Sequence, residues 1–306
     1  MTMHVPILVE PIRDALLKPL LDLPLNAPTH YIVDCTLGGG GHTASILEAF
    51  DSDNRLKHHK VIAVDRDLAA IESAKTRFAD DIKLGRLELL HSSFSKLENE
   101  LPRFKNILGL VADLGFSSDQ IEAPARGLSF QREGPLDMRY DCSQGHTCLE
   151  ILKTISEAEL RNVLKTYGQE RFSDRIALRI ISNRNQGNIP RTTTELSSMI
   201  ISALPPAARH GRIHAATRTF QALRILVNNE VEELHCLLKH VILLVRPPGR
   251  AAVLSFHSLE DREVKHVFRD KSLFRLLNKK PLTAGTDELR RNPRARSAKL
   301  RIAERI

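Results

Sequence analysis

Four consecutive glycines, Gly38 to Gly41, follow the short apolar run Tyr31-Ile32-Val33-Asp34-Cys35 almost at once and lead into a stretch with helical spacing. That order predicts a strand, a tight turn and a helix start. Glycine lets the backbone take positive φ, or lets a ligand approach with no Cβ in the way, and the first turn of a helix presents unpaired N–H groups. A turn of this kind at the carboxyl end of a parallel strand suits a nucleotide-like ligand. Glycine runs also occur in plain loops, so the downstream sequence has to decide.

Downstream, strands and helices alternate. Residues 45–50 have helical spacing, Val61-Ile62-Ala63-Val64 reads as a second buried strand ending in Asp65, and Leu68, Ile71, Ala74 and Phe78 form a helical stripe. Leu87-Glu88-Leu89-Leu90 is a third strand, followed by His91-Ser92-Ser93-Phe94, and residues 107–112 are a fourth that ends in Asp113. This rhythm implies parallel pairing by right-handed crossovers, hence an open α/β sheet with one crevice at the strand ends.

The pattern then changes. From about 116 to 212 there is no convincing strand, only loops followed by helices, with capping-box starts at Ser156/Glu159 and Thr192/Glu195 and a further helix over 174–184. An amphipathic helix from about Ala216 carries Phe220, Leu223, Val227, Val231, Leu234, Leu238 and Val241, with room for a break, and must end before Pro247-Pro248-Gly249. A fifth strand over 251–256, a helix over 259–268 and a final strand through Ala298, Leu300 and Ile302 resume the sheet. The expected organisation is a core in two parts, 1–116 and 213–306, the second ending in a basic strand, around a helical insertion at 117–212 that serves substrate recognition.

Chemistry falls at the strand ends. Asp65 is placed to accept bonds from two ribose hydroxyls, and Asp113 lies at the middle of the crevice. The glycines do not make a dinucleotide fingerprint, since Gly38 and Gly40 would need a third glycine where Thr43 stands, and no Lys-Ser/Thr follows to make a P-loop. An adenosine cofactor without a pyrophosphate, S-adenosylmethionine, fits better. Phe94 is placed to stack on adenine or to pack in the core.

Among 306 residues, 42% are hydrophobic and 27% charged, the balance of an ordinary globular protein. The longest apolar stretches fall far short of a membrane span, and Glu10 and Asp14 interrupt anything like a signal peptide, so a cytoplasmic protein is expected. Cys142, His146 and Cys148 lack a fourth ligand at a usual spacing, and no metal is expected. A net charge of +8 favours a polyanionic partner. Arg290, Arg291, Arg294, Arg296, Lys299, Arg301 and Arg305 face only Glu304 in the last 17 residues, a density that suggests phosphate contact. His257, past the fifth strand, either touches a nucleic acid or pins its loop.

The runs DCTLGGGGHT (34–43), VDRD (64–67), DLGFSSDQ (113–120), RGLSF (126–130), GPLDMR (134–139), ATRTFQALRI (216–225), SFHSLEDR (255–262) and NPRARS (292–297) resemble, in order, the signature blocks of the bacterial small-subunit ribosomal RNA cytosine-N(4) methyltransferases. The resemblance covers nearly the whole chain. It implies a class I methyltransferase core, Rossmann-like, with an inserted helical domain. It also implies S-adenosylmethionine contacts at Gly40, Gly41, His42, Asp65, Phe94, Asp113 and Gln120, and a cytidine in the decoding region of 16S RNA as substrate, presented in an assembled or nearly assembled subunit. Arg139, Arg218, His257, Arg294 and Arg296 are the candidate RNA contacts, and the sequence admits a homodimer. The chain departs from the family pattern at Gly39, Asp119, Gln169, Ala215 and Pro248, and its segment between Phe268 and Lys279 is short.

Cytosine's exocyclic amine is a poor nucleophile, so the enzyme must align it with the sulfonium methyl and offer a hydrogen-bond acceptor. Asp113 and Ser117 are the candidates. Methylation at ring carbon would need a thiolate; no Pro-Cys loop follows the fourth strand, and Cys35 reads as a small buried residue. Two other readings compete. A nicotinamide-linked oxidoreductase is disfavoured by the missing glycine and the insertion, and a non-catalytic RNA-binding assembly factor by the presence of Asp65, Asp113 and Gln120.

Overall fold

The computed structural model describes residues 6–115, 121, 123–211 and 213–306, with the backbone alone of Pro102. In chain order the elements are α1 (Val9–Leu21), β1 (Tyr31–Asp34), α2 (Gly41–Ser52), β2 (Lys60–Asp65), α3 (Leu68–Arg77), α4 (Ala79–Lys83), β3 (Leu87–His91), α5 (Leu97–Glu100) and β4 (Ile107–Asp113). Then come α6 (Cys148–Thr154), α7 (Glu157–Thr166), α8 (Ser173–Asn185), α9 (Thr193–Ala203), α10 (Thr217–Asn228) and α11 (Glu230–Leu244). The chain closes with β5 (Val245–Ser255), α12 (Ser258–Phe268), β6 (Phe274–Leu276), α13 (Thr286–Arg291) and β7 (Lys299–Arg305). It divides into two compact units, residues 1–117 with 231–306, and residues 118–230.

The first unit is built on a seven-stranded sheet of order β3-β2-β1-β4-β5-β7-β6. The first five strands are parallel, and β7 runs antiparallel to β5 and β6. Because side chains alternate along a strand, near-continuous apolar runs feed both faces. Ile32, Val61, Ala63, Val111, Ala252 and Leu254 pack on one side with Ile12, Leu16 and Leu20 of α1 and Ile46 and Phe50 of α2. Val33, Ile62, Val64, Leu110, Ala112, Ala251 and Val253 pack on the other with Leu234, Leu237, Leu238 and Val241 of α11 and Val264 and Phe268 of α12.

The structure differs from the sequence reading in and around the sheet. β5 starts at Val245, where a register shift opposite Ile107 and Gly109 lets the Pro247-Pro248-Gly249 segment join the strand. The three-residue edge strand β6 is too short to show a period, and α1 had no counterpart among the predicted elements. Helix α2 begins within the glycine run, at Gly41, four residues before the predicted helical spacing.

The second unit packs α6 to α10 around Leu152, Leu160, Leu164, Ile176, Ile180, Leu196, Ile200, Phe220 and Leu223. Capping boxes start α6, α7 and α9 at Thr147/Glu150, Ser156/Glu159 and Thr192/Glu195, each satisfying two otherwise unpaired backbone donors. The insertion was expected to end at 212. In the structure this unit runs to 230, because the apolar face of α10 belongs to its core, and Asn229, at φ 52°, supplies the break before α11. The RGLSF and GPLDMR blocks are joints of this unit. A Cβ on Gly127 would lie 2.0 Å from the Pro135 carbonyl oxygen, and one on Gly134 would lie 2.0 Å from that of Pro124. The Asn228 side chain clamps the same loop, donating to the Met138 carbonyl (2.7 Å) and accepting from the Tyr140 amide (2.8 Å).

Candidate active site

β1, β2 and β4 lie side by side and end in Asp34, Asp65 and Asp113. Asp34 is fully buried, with Oδ1 accepting from the Thr36 amide (3.1 Å) and Oδ2 from the Thr43 hydroxyl (2.7 Å). Burial pushes its carboxyl above the ordinary range, against the pull of His42, Thr43 and Thr36. Asp65 accepts from the amides of Gly38 (2.7 Å) and Asp67 (2.8 Å). Its carboxyl is pushed up to about 6, by burial first, with those two amides opposing. The glycine turn is thereby tied to the end of β2, a link reinforced by the Leu37 amide, which donates to the Val64 carbonyl (2.9 Å).

The turn itself needs glycine at Gly38 and Gly40, whose φ values are 48° and 75°. At Gly40 and Gly41 the space a Cβ would fill is taken by the protein, by the Phe78 ring 2.6 Å away and the Pro6 ring 2.5 Å away. Their small size therefore serves close packing of the turn. The ligand-facing resource is the start of α2, whose first turn carries backbone donors and no acidic side chain.

Asp113 ends the central strand. Its amide donates to the Thr36 hydroxyl (2.6 Å), and its Oδ1 accepts from the Gly115 amide (2.9 Å). Its Oδ2 lies 3.8 Å from Nε2 of His42. His42, the second residue of α2, is buried, and neither ring nitrogen has a hydrogen-bond partner among the described residues. Burial alone would depress its pKa, but Asp113 and Asp34 outweigh it and hold the imidazole above its ordinary value. Thr36 and Thr43, which brace the carboxylates, escaped the sequence reading; their signal was a pair of hydroxyls flanking a glycine run that follows an apolar strand.

The remaining predicted positions scatter. Phe94 heads a short 3-10 turn after β3 and packs, half-buried, against the core face that carries α11. Ser117 and Gln120 lie outside the described residues. Cys142 is exposed, whereas Cys148 is buried at the start of α6 with its thiol pushed up to about 12 by burial and by Asp137.

Among the RNA candidates, Arg139 forms a two-pronged pair with Asp137 (2.8 and 2.9 Å) and reaches the carbonyls of Gln144 and Gly145, so its guanidinium is committed to its own loop. His257 caps α12 in a box with Glu260, accepting from the Glu260 amide while Glu260 accepts from the amides of Phe256 and His257. It pins its loop. Arg218, Arg294 and Arg296 are exposed. The terminal basic cluster is only partly a surface feature. Arg301 is buried against Asp261 (2.7 Å), Lys299 lies 3.5 Å from the same carboxylate, and Arg305 donates to the Leu273 carbonyl (2.6 Å).

The MraW methylase family profile matches residues 1–306, the whole chain. The chain belongs to the MraW methylase family. It is therefore a methyltransferase with S-adenosylmethionine as its cofactor. A relative from Sorangium cellulosum, named ribosomal RNA small subunit methyltransferase H, is 46% identical over 277 residues, 90% of this chain and 84% of that protein. One of the same name from Halothermothrix orenii is 41% identical over 314 residues, covering 96% and 98%. A solved rRNA methylase from Streptococcus thermophilus superposes with a TM-score of 0.43 at 11% identity, covering 96% of this chain and 93% of its own.

The cofactor of this MraW-family enzyme can be tested against the residues present. Each oxygen of Asp65 accepts one backbone bond in the structure and has capacity for a second, as a carboxylate meeting two hydroxyls requires. His42 leaves two buried ring nitrogens without a hydrogen-bond partner among the described residues, and the first turn of α2 offers donors to a carboxylate. Three carboxylates at adjoining strand ends give a negative field suited to a sulfonium cation. The donor set fits the group.

Proposed function

We propose that the chain methylates the exocyclic N(4) amine of a cytidine in the decoding region of small-subunit ribosomal RNA, in the cytoplasm, on an assembled or nearly assembled subunit. The rRNA substrate is supported by the relatives' names; the choice of nitrogen and of region rests on the signature blocks. In this reading Asp65 holds the ribose, Gly40, Gly41 and His42 present the start of α2, and Phe94, Asp113 and Gln120 complete the cofactor site. The helical unit reads the RNA through Arg218, and Arg294 and Arg296 of the first unit add phosphate contacts. Arg139 and His257 serve by ordering loops.

When bound, S-adenosylmethionine supplies the electrophilic methyl group. Transfer would join that methyl group to the amine with the cofactor's sulfur as leaving group, and the amine proton would pass to an acceptor. Asp113 is that acceptor, hydrogen-bonding the amine as it rehybridises, and His42 keeps its carboxylate facing the crevice. Ser117 is the candidate for orienting the amine. The target base cannot meet the methyl group while stacked, so it is single-stranded or turned out.

Cys35 supports this reading against methylation at ring carbon, since it follows β1, is buried, and has its thiol driven well above the ordinary range by burial and by Asp34. A thiol so held is no nucleophile. Purified enzyme should convert unmodified small-subunit RNA to a product whose digest contains N(4)-methylcytidine, identified by mass spectrometry against standards. A 5-methylcytidine product, or loss of turnover in a folded Cys35→Ser variant, would overturn direct transfer.

A further inference from the structure

Within the helical unit, Ile176, Ala177, Ile180 and Ile181 turn one side of α8 into the core, which fixes the opposite side outward. That outer side carries Arg175 and Arg179, both exposed, one helical turn or about 6 Å apart along the axis. Arg171, also exposed, lies just before the helix with its guanidinium over the Phe172 ring at 5.7 Å. Arg218 of α10 joins the row, because its Nη1 lies 3.5 Å from the carbonyl of Gln169, two residues from Arg171.

None of these four arginines makes an ion pair among the described residues, and the nearby carboxylates are engaged elsewhere. Asp174 is taken by Arg161 (2.9 Å), while Glu170 is buried and accepts from the Phe172 amide (2.8 Å). Leu178, more than half exposed, sits in the same row. Arg175 and Arg179 one turn apart, with Arg171 and Arg218 beside them, none in an ion pair among the described residues, and an exposed leucine in their midst, match a nucleic-acid strand, phosphates to the guanidinium forks and a base or ribose to the leucine. An acidic protein segment would need no such regular spacing.

We propose that Arg218, Arg171, Arg175 and Arg179 form a phosphate track that holds a single-stranded segment of the substrate RNA. The inference rests on the rRNA reading above and adds to it the surface that grips the strand.

The test uses the full chain with Arg171→Gln, Arg175→Gln and Arg179→Gln combined, and small ribosomal subunits carrying unmodified RNA. Binding measured from about 50 to 200 mM salt should show a log–log slope shallower by about 2 than wild type, with KM raised tenfold or more at the higher salt. S-adenosylmethionine affinity and melting temperature should stay as in wild type, and the matching arginine-to-lysine triple should recover most of the slope. Neutralising Lys57, Lys83 and Lys105, exposed residues that precede β2, β3 and β4 at the amino ends of those strands, removes the same charge from the other unit and should leave the slope unchanged. An unchanged slope in the arginine triple, or an equal change in the lysine control, overturns the track. A change seen with intact subunits but absent with deproteinised RNA overturns it in favour of a protein partner. If wild-type enzyme fails to methylate the RNA at all, the failure lies with the rRNA reading; if it methylates and the triple behaves as wild type, only the track is lost.

Discussion

His42 Nε2 faces Asp113 Oδ2 across 3.8 Å, a buried imidazole at the start of α2 set against the carboxylate that ends the central strand. The pair joins the glycine turn to the carboxylate proposed above to take the amine proton. An acceptor that strengthens its bond only as the amine rehybridises favours the transition state over the bound substrate, so Asp113→Asn should cut turnover by about a hundredfold or more. Single-turnover kinetics with saturating cofactor would check this, and a near-normal rate would remove Asp113 from the chemistry.

Asp65 should make cofactor binding depend on pH. Its carboxyl titrates at about 6 in the folded chain, and ribose hydroxyls need the ionised form as acceptor. Affinity should therefore fall as pH drops below about 6, and binding near that pH should release a proton, visible by calorimetry in buffers of different ionisation heat. Asp65→Asn should abolish the release. Asp65→Ala should weaken binding at least tenfold, since a charge-assisted bond contributes about 1.5–3 kcal/mol.

The basic C-terminal region should separate into two roles. Breaking the buried Arg301–Asp261 pair by Asp261→Ala should destabilise the fold by about 3–5 kcal/mol, because it leaves a guanidinium buried without its partner. Arg294→Gln with Arg296→Gln should instead leave the melting temperature within error and make the salt dependence of RNA binding shallower by about 1 to 1.5. Denaturant titrations and salt titrations on the same two variants would decide.

Acid should loosen the fold through His59. Its ring is buried among His58, His30 and Phe50, and burial, then the charges of His58 and His30, bring its pKa down to about 4. Between about 6.5 and 4 the unfolded chain binds a proton that the folded chain refuses. Stability is thus complete above pH 6.5 and declines as pH falls towards 4. Replacing His59 by Gln, which can still accept from the His30 amide, should flatten that decline in denaturant midpoints measured across the window.

The strands of the core were legible because each is a short apolar run closed by a polar residue, and Asp65 and Asp113 fell at strand ends as the alternation required. The capping boxes at Ser156 and Thr192 were legible because the pattern is local. The fate of the terminal arginines was not. Whether Arg301 meets solvent or Asp261 depends on a partner 40 residues away, and nothing in the spacing of Lys299, Arg301 and Arg305 tells an inward side chain from an outward one. Arg139 was lost to a nearer partner, Asp137 two residues before it, which the sequence reading did not weigh. The second end of the helical unit was misplaced because α10 and α11 read as one amphipathic stripe, and the sequence could not show which core each half would join.

Gly127 and Gly134 carry a consequence for how tolerance to change should be distributed along this chain. Each lies so close to a carbonyl of the other's loop that even alanine would collide with backbone, which cannot swing aside as a side chain can. A saturation screen scored by methylation at a single temperature would therefore rank both with Asp113, although a glycine has no side chain to take part in the chemistry. Temperature should tell them apart: alanine at either glycine should give heat-sensitive enzyme whose surviving molecules at low temperature turn over normally, whereas Asp113→Asn should be slow at every temperature at which it remains folded.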